Sequence, residues 1–153
     1  MDTLELLLAE RACERLITDF VHRLDLGEPA GVAGLFTEDG VWEWPPPGDG
    51  RRVAGRAALR EYFGSRPADR LSRRFMSNVL VTVTGPDTAT AVSYFATYRV
   101  DGYAGGMVPA GPPVQIGTYE DSFRRVDDGR WLLDRRALRL PFKGPTPPAG
   151  KAG

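Results

Sequence analysis

The sequence has almost no cysteine or histidine, the residues that build disulfides and the usual zinc sites. It contains one cysteine, Cys13, and one histidine, His22. A single cysteine allows no internal disulfide, which is typical of a reducing compartment. One histidine and one cysteine also exclude a zinc site of the usual His/Cys kind within one chain. We therefore expect no bound metal.

Excess charge and long apolar runs are also absent. Twenty basic residues balance twenty acidic ones, so nothing indicates a polyanionic partner. No segment approaches the ~20 apolar residues of a membrane span. The N-terminus carries Asp2, Glu5 and Glu10 instead of the basic flank of a signal peptide. We expect a cytoplasmic protein that binds neither nucleic acid nor membrane.

Nucleotide-binding motifs are missing as well. The glycines of residues 48–55 and 102–106 fit neither the P-loop nor the dinucleotide fingerprint, so no nucleotide cofactor is expected. Arg135, Arg136 and Arg139 have the composition of a nucleic-acid patch. Strand alternation places Arg136 on the opposite face from the other two, which disfavours such a patch.

The chain has enough apolar residues for one core. Its 153 residues are 42% hydrophobic and 26% charged, which predicts a single globular domain over residues 1–142. Residues 143–153 have little to bury and are predicted to form a disordered tail. Residues 3–26 predict an amphipathic helix, because apolar residues recur at steps of three and four. They are Leu6, Ala9, Cys13, Leu16, Ile17, Phe20, Val21 and Leu24.

Short helices and then strands follow along the chain. The helices are predicted at 29–36 and 56–63, and the strands at 40–44, 74–84, 88–100, 115–126 and 131–140. Helices followed by antiparallel strands indicate an α+β fold, in which the long helix lies across a curved sheet and closes a cone. The mouth of such a cone is a natural pocket for a small molecule. The loop 101–114 is either a mobile functional loop or an insertion.

Asp121 is the first candidate for chemistry. Residues 117–131 read as strand, turn and strand, with Tyr119 and Asp121 on one face. A carboxylate in an aromatic and aliphatic layer is costly unless it is paired or used. We predict that Asp121 is a pocket acid, base or oxyanion donor. The alternative is a structural ion pair with a neighbouring arginine on the sheet.

Four segments together resemble a known family. Residues 20–27 read FVHRLDLG, 35–42 LFTEDGVW, 73–79 RRFMSNV and 117–131 GTYEDSFRRVDDGRW. Their order is similar to the SnoaL-like branch of the nuclear-transport-factor-2-like superfamily over residues 3–142. The resemblance implies a cone-shaped α+β barrel, three N-terminal helices packed on a mainly antiparallel sheet, and a homodimer. This fold hosts dehydratases, isomerases, epoxide hydrolases, cyclases and binding proteins.

Two departures from the family narrow the chemistry that the resemblance implies. Many relatives have a histidine where this chain has Arg74, which disfavours histidine-dependent dehydration. The resemblance to ketosteroid isomerase places Trp44 at the position of that enzyme's base and Phe20 at its oxyanion-hole tyrosine. Only Asp121 matches its oxyanion-hole aspartic acid, so ketosteroid isomerisation is also disfavoured.

The remaining candidate residues come from strand parity. Arg74 shares a face with Met76 and Asn78, and in a pocket it would hold a substrate carboxylate, phenolate or enolate. The alternative is a surface arginine. Tyr94 and Tyr98 share a face of one strand and, like Tyr119, are either phenolic donors in the cavity or half-buried sheet aromatics.

An apolar wall completes the predicted site. Phe20, Trp42, Trp44 and Met76 are its candidates, with ordinary core as the alternative for each. His22 lies opposite Phe20 on the helix and is expected at the solvent side.

These residues and the resemblance predict a cofactor-independent enzyme for a hydrophobic, polyketide-like intermediate. Asp121, Arg74 and Tyr98 are its predicted catalytic groups. The reaction is a cyclisation, epoxide opening, dehydration or isomerisation. Alternatives are a small-molecule binding module or the small structural subunit of an oxygenase-type complex.

Overall fold

The structure, a computed structural model, describes residues 1–142. The tail predicted at 143–153 lies outside this range. The helices are α1 (Thr3–Asp25), a 3-10 helix (Pro29–Leu35) and α2 (Arg56–Gly64). The strands are β1 (Phe36–Trp44), β2 (Arg51–Ala54), β3 (Leu71–Gly85), β4 (Thr88–Val100), β5 (Gln115–Arg125) and β6 (Trp131–Arg139).

Helix α1 follows its predicted pattern closely. Asp2 and Glu5 form a capping box at its N-terminus, which satisfies two free backbone N–H groups. Seven of the eight predicted apolar positions are buried, and His22 faces solvent as expected. The exception is Leu6, because the first two turns of α1 are uncovered and leave Leu4, Leu7 and Leu8 exposed as well.

The six strands form one sheet in the order β2-β1-β6-β5-β4-β3. All neighbours are antiparallel except β1 and β6, which are parallel. Strand β1 begins earlier than predicted, at Phe36, and β2 was not predicted at all. Its four residues show no apolar alternation, and it is held by pairing with β1 from Val41 to Trp44.

The helices cover the inner face of this curved sheet, so the predicted cone-shaped α+β fold is confirmed. In β4 the inner positions are those of Ala89, Ala91, Ser93, Phe95 and Thr97, all buried. Within residues 1–142, no helix is long and apolar enough to cross a membrane.

The outer face of β4 carries Tyr94 and Tyr98, and their predicted placement in the cavity is therefore wrong. Tyr94 is 51% exposed, and Tyr98 packs edge-on against Phe75 with ring centroids 5.6 Å apart. The physical reason is that β4 carries small side chains at inner positions beside large residues of β5, so its large tyrosines lie on the outer face. Ser93 pairs with Tyr119 and Ala91 with Asp121 on β5, so small residues of β4 lie beside large ones.

Candidate functional site

A cavity of about 270 Å³ opens at the inner face of the sheet. All six strands and both α-helices contribute to its lining. Its apolar wall consists of Phe20, Leu24, Trp42, Trp44, Phe63, Tyr119 and Leu138. Three of these rings meet at edge-to-face angles, with centroids 5.6 Å apart for Phe20–Phe63 and 6.1 Å for Trp42–Phe63. A wall of this kind suits a flat, hydrophobic ligand.

Four of the predicted substrate contacts line this cavity: Phe20, Trp42 and Trp44 of the predicted wall, and Tyr119. Their role as substrate contacts stays a prediction. Met76 is half-buried and packs against the core without lining the cavity. Asn78 is exposed with φ 52°, because the register of β3 shifts between Ser77 and Leu80 and alternation is interrupted there. Its predicted placement in the pocket is wrong.

Arginines dominate the polar part of the lining. They are Arg51, Arg66, Arg70, Arg74 and Arg99. The sequence singled out Arg74 alone, because it lies in a family-like segment. Arg99 was detectable in principle, since it shares the inner parity of Phe95 and Thr97 on β4. Arg66 and Arg70 lie in the connection between α2 and β3, where alternation gives no signal.

Arg74 is held by Asp25 at the end of α1. Asp25 forms an ion pair with the Arg74 guanidinium and accepts the Arg74 backbone N–H at 2.7 Å. It also accepts the Ser72 hydroxyl at 2.5 Å, and its side chain is only 2% exposed. Arg66 in turn donates to the same hydroxyl. Arg74 is therefore fixed in place at the cavity, by a carboxylate that sequence reasoning missed.

Asp121 has a different partner. Its two carboxylate oxygens accept hydrogen bonds from Nε and Nη2 of Arg136, at 2.7 and 2.8 Å. Both side chains are fully buried. Burial alone would lower the pKa of the Arg136 guanidinium, but the Asp121 carboxylate outweighs it and raises that pKa. Asp121 and Arg74 are thus not brought together, and the geometry is that of the structural ion pair.

The Asp121–Arg136 pair lies behind the aromatic wall. The Arg136 guanidinium carbon is 4.4 Å from the ring centroid of Phe20 and 3.9 Å from that of Tyr119. Its Nη1 is buried and has no hydrogen-bond partner within residues 1–142. The pair stabilises the two rings from behind by cation–π contact. Neither Asp121 nor Arg136 lines the cavity itself.

Tyr62 is a second group that the sequence did not reveal. Nη1 of Arg51 donates to the Tyr62 hydroxyl oxygen at 2.7 Å. This hydrogen bond raises the pKa of Arg51, and it leaves the phenolic O–H free to donate to a ligand. The ring stacks near Trp42, with centroids 5.2 Å apart. An aromatic residue on a short helix reads as ordinary core, which is why periodicity could not identify it.

A larger cavity of about 530 Å³ adjoins the first and shares Trp44, Arg99, Gln115 and Leu138 with it. Its other walls come mainly from strand ends and connections, among them Pro45, Pro47 and Pro141. The smaller cavity is the better candidate site, because it alone is lined by Phe20, Trp42, Phe63 and Tyr119 of the inner aromatic wall. Among the described residues, no group of three or more His, Cys, Asp or Glu side chains is placed to hold a metal.

Comparison with known proteins shows which family and which solved structures this chain is similar to. Residues 5–137 match the SnoaL-like domain family. The protein Rv3472 of Mycobacterium tuberculosis, of unknown function, is 28% identical, with 87% of this chain and 76% of that chain covered and a TM-score of 0.71. A protein of Novosphingobium aromaticivorans, provisionally assigned as a scytalone dehydratase, is 25% identical over 99% and 100% of the chains, with a TM-score of 0.74. No curated protein matches the sequence significantly.

Proposed function

Because the chain belongs to the SnoaL-like domain family, we propose that it is an enzyme for a hydrophobic, polyketide-like small molecule and needs no cofactor. The reaction is one of proton transfer, such as a cyclisation, dehydration, epoxide opening or isomerisation. The name given to the Novosphingobium relative, a dehydratase of a small molecule, agrees with this class. The observation that carries the proposal is the combination of an aromatic wall with a rim of guanidinium groups.

The polar lining consists of hydrogen-bond donors. Besides the arginines it offers the Tyr62 hydroxyl and the Gln115 amide, and none of the described lining residues is a carboxylate or histidine. Donors fixed in advance stabilise negative charge as it develops on a substrate oxygen. The cavity is therefore suited to a carbonyl compound that passes through an enolate. Arg74, already oriented by Asp25, and Tyr62 would donate to that oxygen.

Asp121 has a positioning role in this proposal. Its carboxylate keeps Arg136 behind Phe20 and Tyr119, and so fixes the wall against which the substrate lies. With no free carboxylate in the lining, water at the cavity mouth accepts the substrate proton. This suits substrates whose C–H group is already acidic, because it lies between two carbonyls or between a carbonyl and an aromatic ring. Orientation of a flexible chain in a reactive conformation supplies a further part of the rate.

Hydrogen exchange tests the proposal, because enolisation is a shared first step for several of these reactions. β-Tetralone is incubated with the protein in D₂O, and loss of the α-proton signals is followed by NMR. We expect exchange at least tenfold faster than in buffer. Arg74→Gln and Tyr62→Phe should each reduce it. Arg60→Gln changes an exposed arginine of α2 outside the cavity and should leave it unchanged.

A binding module without catalysis is the second candidate. It is favoured by one observation, that Asp25, Asp101 and Asp121 are all engaged by arginines. In that case the Trp42 and Trp44 fluorescence would report binding of β-tetralone, while exchange would stay at the rate in buffer. The open cavity argues against the third alternative, a purely structural subunit.

We also propose a homodimer formed through the outer face of β3, β4 and β5. This face exposes the apolar side chains Phe75, Val79, Leu80, Val92, Tyr94 and Ile116. The uncovered face of an antiparallel sheet is normally polar, and a contiguous apolar patch there is typical of an interface. A second copy of the same chain is the occupant that the family resemblance implies.

A further inference from the structure

Two of the five cavity arginines have no carboxylate partner. Arg51, Arg70 and Arg74 form ion pairs with Asp49, Asp101 and Asp25, respectively. Within residues 1–142, no carboxylate lies within ion-pair distance of Arg66 or Arg99. The side chain of Arg66 donates only to neutral oxygens, the Ser72 hydroxyl and the Arg70 carbonyl. The cavity therefore holds two positive charges in excess.

Both unpaired guanidinium groups lie in an unfavourable environment. Burial, followed by the charge of Arg74, lowers the pKa of Arg66 to about 10. Burial and then the charge of Arg70 lower the pKa of Arg99 as well. Each group therefore gives up solvation and is repelled by a neighbour of the same sign, and the attraction of Asp25 for Arg66 and of Asp101 for Arg99 offsets this only in part. A bound anion at this place would relieve both effects.

We infer that Arg66 and Arg99 bind a carboxylate group of the substrate, so that the enzyme acts on a cyclic or aromatic carboxylic acid. This inference rests on the proposed function and names its substrate class. The planar fork of a guanidinium matches the two oxygens of a carboxylate. Arg99 lies at the junction of both cavities, so the acid would be anchored there with its ring against Trp42 and Phe63.

The test compares naphthoate with its methyl ester, which keeps the ring system and lacks the negative charge. Binding is measured by isothermal titration calorimetry and by quenching of tryptophan fluorescence, at low and high salt. We expect naphthoate to bind at least tenfold more tightly than the ester at low salt, with the difference reduced by salt. Arg66→Gln and Arg99→Gln should each remove most of that preference and leave binding of the ester unchanged.

Two variants serve as controls. Arg60→Gln removes an exposed charge of α2 outside the cavity and should keep the full preference. Arg99→Lys keeps the charge without the fork and should keep part of it. Thermal unfolding of each variant shows that the fold is intact. Because Arg66 and Arg99 lie in different parts of the fold, the test remains valid if one of the two glutamine variants fails to fold.

Equal binding of acid and ester, or a preference that survives both glutamine variants, would overturn the inference. Failure of both probes to bind would also overturn it. Enolisation of the neutral β-tetralone does not depend on this anchor. Exchange without a preference for the acid would therefore leave the proposed function standing, whereas a preference without exchange would support the anion site and contradict catalysis.

Discussion

Arg136 binds both carboxylate oxygens of Asp121 within the core, at 2.7 and 2.8 Å, and neither side chain reaches solvent. Removing one partner of such a pair leaves the other charge buried without compensation. We expect Asp121→Asn to lower the free energy of unfolding by about 3–5 kcal/mol. Urea denaturation followed by circular dichroism measures this change.

The neighbouring Glu120 provides a matched control on the same strand. Its ion pair with Arg139 is about two-fifths exposed on each side, so Glu120→Gln should cost less than about 1 kcal/mol. Equal stability of the two variants would show that the buried pair contributes little. Loss of activity in Asp121→Asn without loss of stability would instead support the catalytic role first predicted for this residue.

The carboxylate of Asp25 joins the end of α1 to β3. We expect Asp25→Asn to destabilise the protein by about 2–3 kcal/mol, because the Arg74 guanidinium and the Ser72 hydroxyl lose their charged acceptor. The midpoint of urea unfolding reports the change. Asp49→Asn, which breaks a partly exposed pair with Arg51, should change it by less than about 1 kcal/mol. A similar effect of both variants would contradict the proposed anchoring role of Asp25.

The thiol of Cys13 should be inert in the native protein. Burial, followed by the negative charges of Asp121 and Glu14, raises its pKa from 9.0 to about 12. Native protein at pH 8 should therefore not react with Ellman's reagent, whereas protein unfolded in guanidinium should release one thiol per chain. Rapid labelling of the folded protein would show that this part of α1 opens readily.

The same thiol predicts a pH dependence of stability. A group whose pKa is raised in the native state contributes stability that is fully present below its unfolded pKa and is lost as pH rises through the folded value. The window is therefore from about pH 9 to about pH 12. Wild type and Cys13→Ala are compared by urea denaturation, and the advantage of the wild type should shrink across this window. A constant difference would contradict the prediction.

Tyr94 lies at the centre of the proposed dimer interface. Tyr94→Glu should convert the dimer to a monomer, because it buries an unpaired charge between the two sheets. Light scattering after size-exclusion chromatography measures the mass in solution. Leu8→Glu makes the same kind of change on the exposed side of α1 and should keep the dimer. A monomeric wild type would refute the interface.

Periodicity predicted most of the helices and strands but not the composition of the site. The apolar stripe of α1 and the four long strands follow directly from alternation, since burial of one face fixes the pattern. Strand β2 has no such pattern and depends on its partner. The alternation of faces along β3 correctly placed Arg74 at the cavity but not Asn78, because an interruption of the register separates the two residues.

Local sequence patterns could not predict which acidic residue pairs with which arginine. Asp25 and Arg74 are 49 positions apart, and many arginines compete in the sequence for each acidic residue. Family resemblance indicated Arg74 and Asp121 one at a time and left open whether the two form a pair. Only the packing of α1 against β3 and of β6 against β5 assigns each its own partner.

The parallel contact between β1 and β6 has a consequence for how the chain reaches its native state. Among the strands of residues 1–142, β6 alone joins the pair β1–β2 to the antiparallel strands β5, β4 and β3. Until β6 pairs with both β1 and β5, the described strands form two separate half-sheets. Contacts so distant in sequence are slow to form, so the ligand chamber is completed only when β6 pairs on both of its sides.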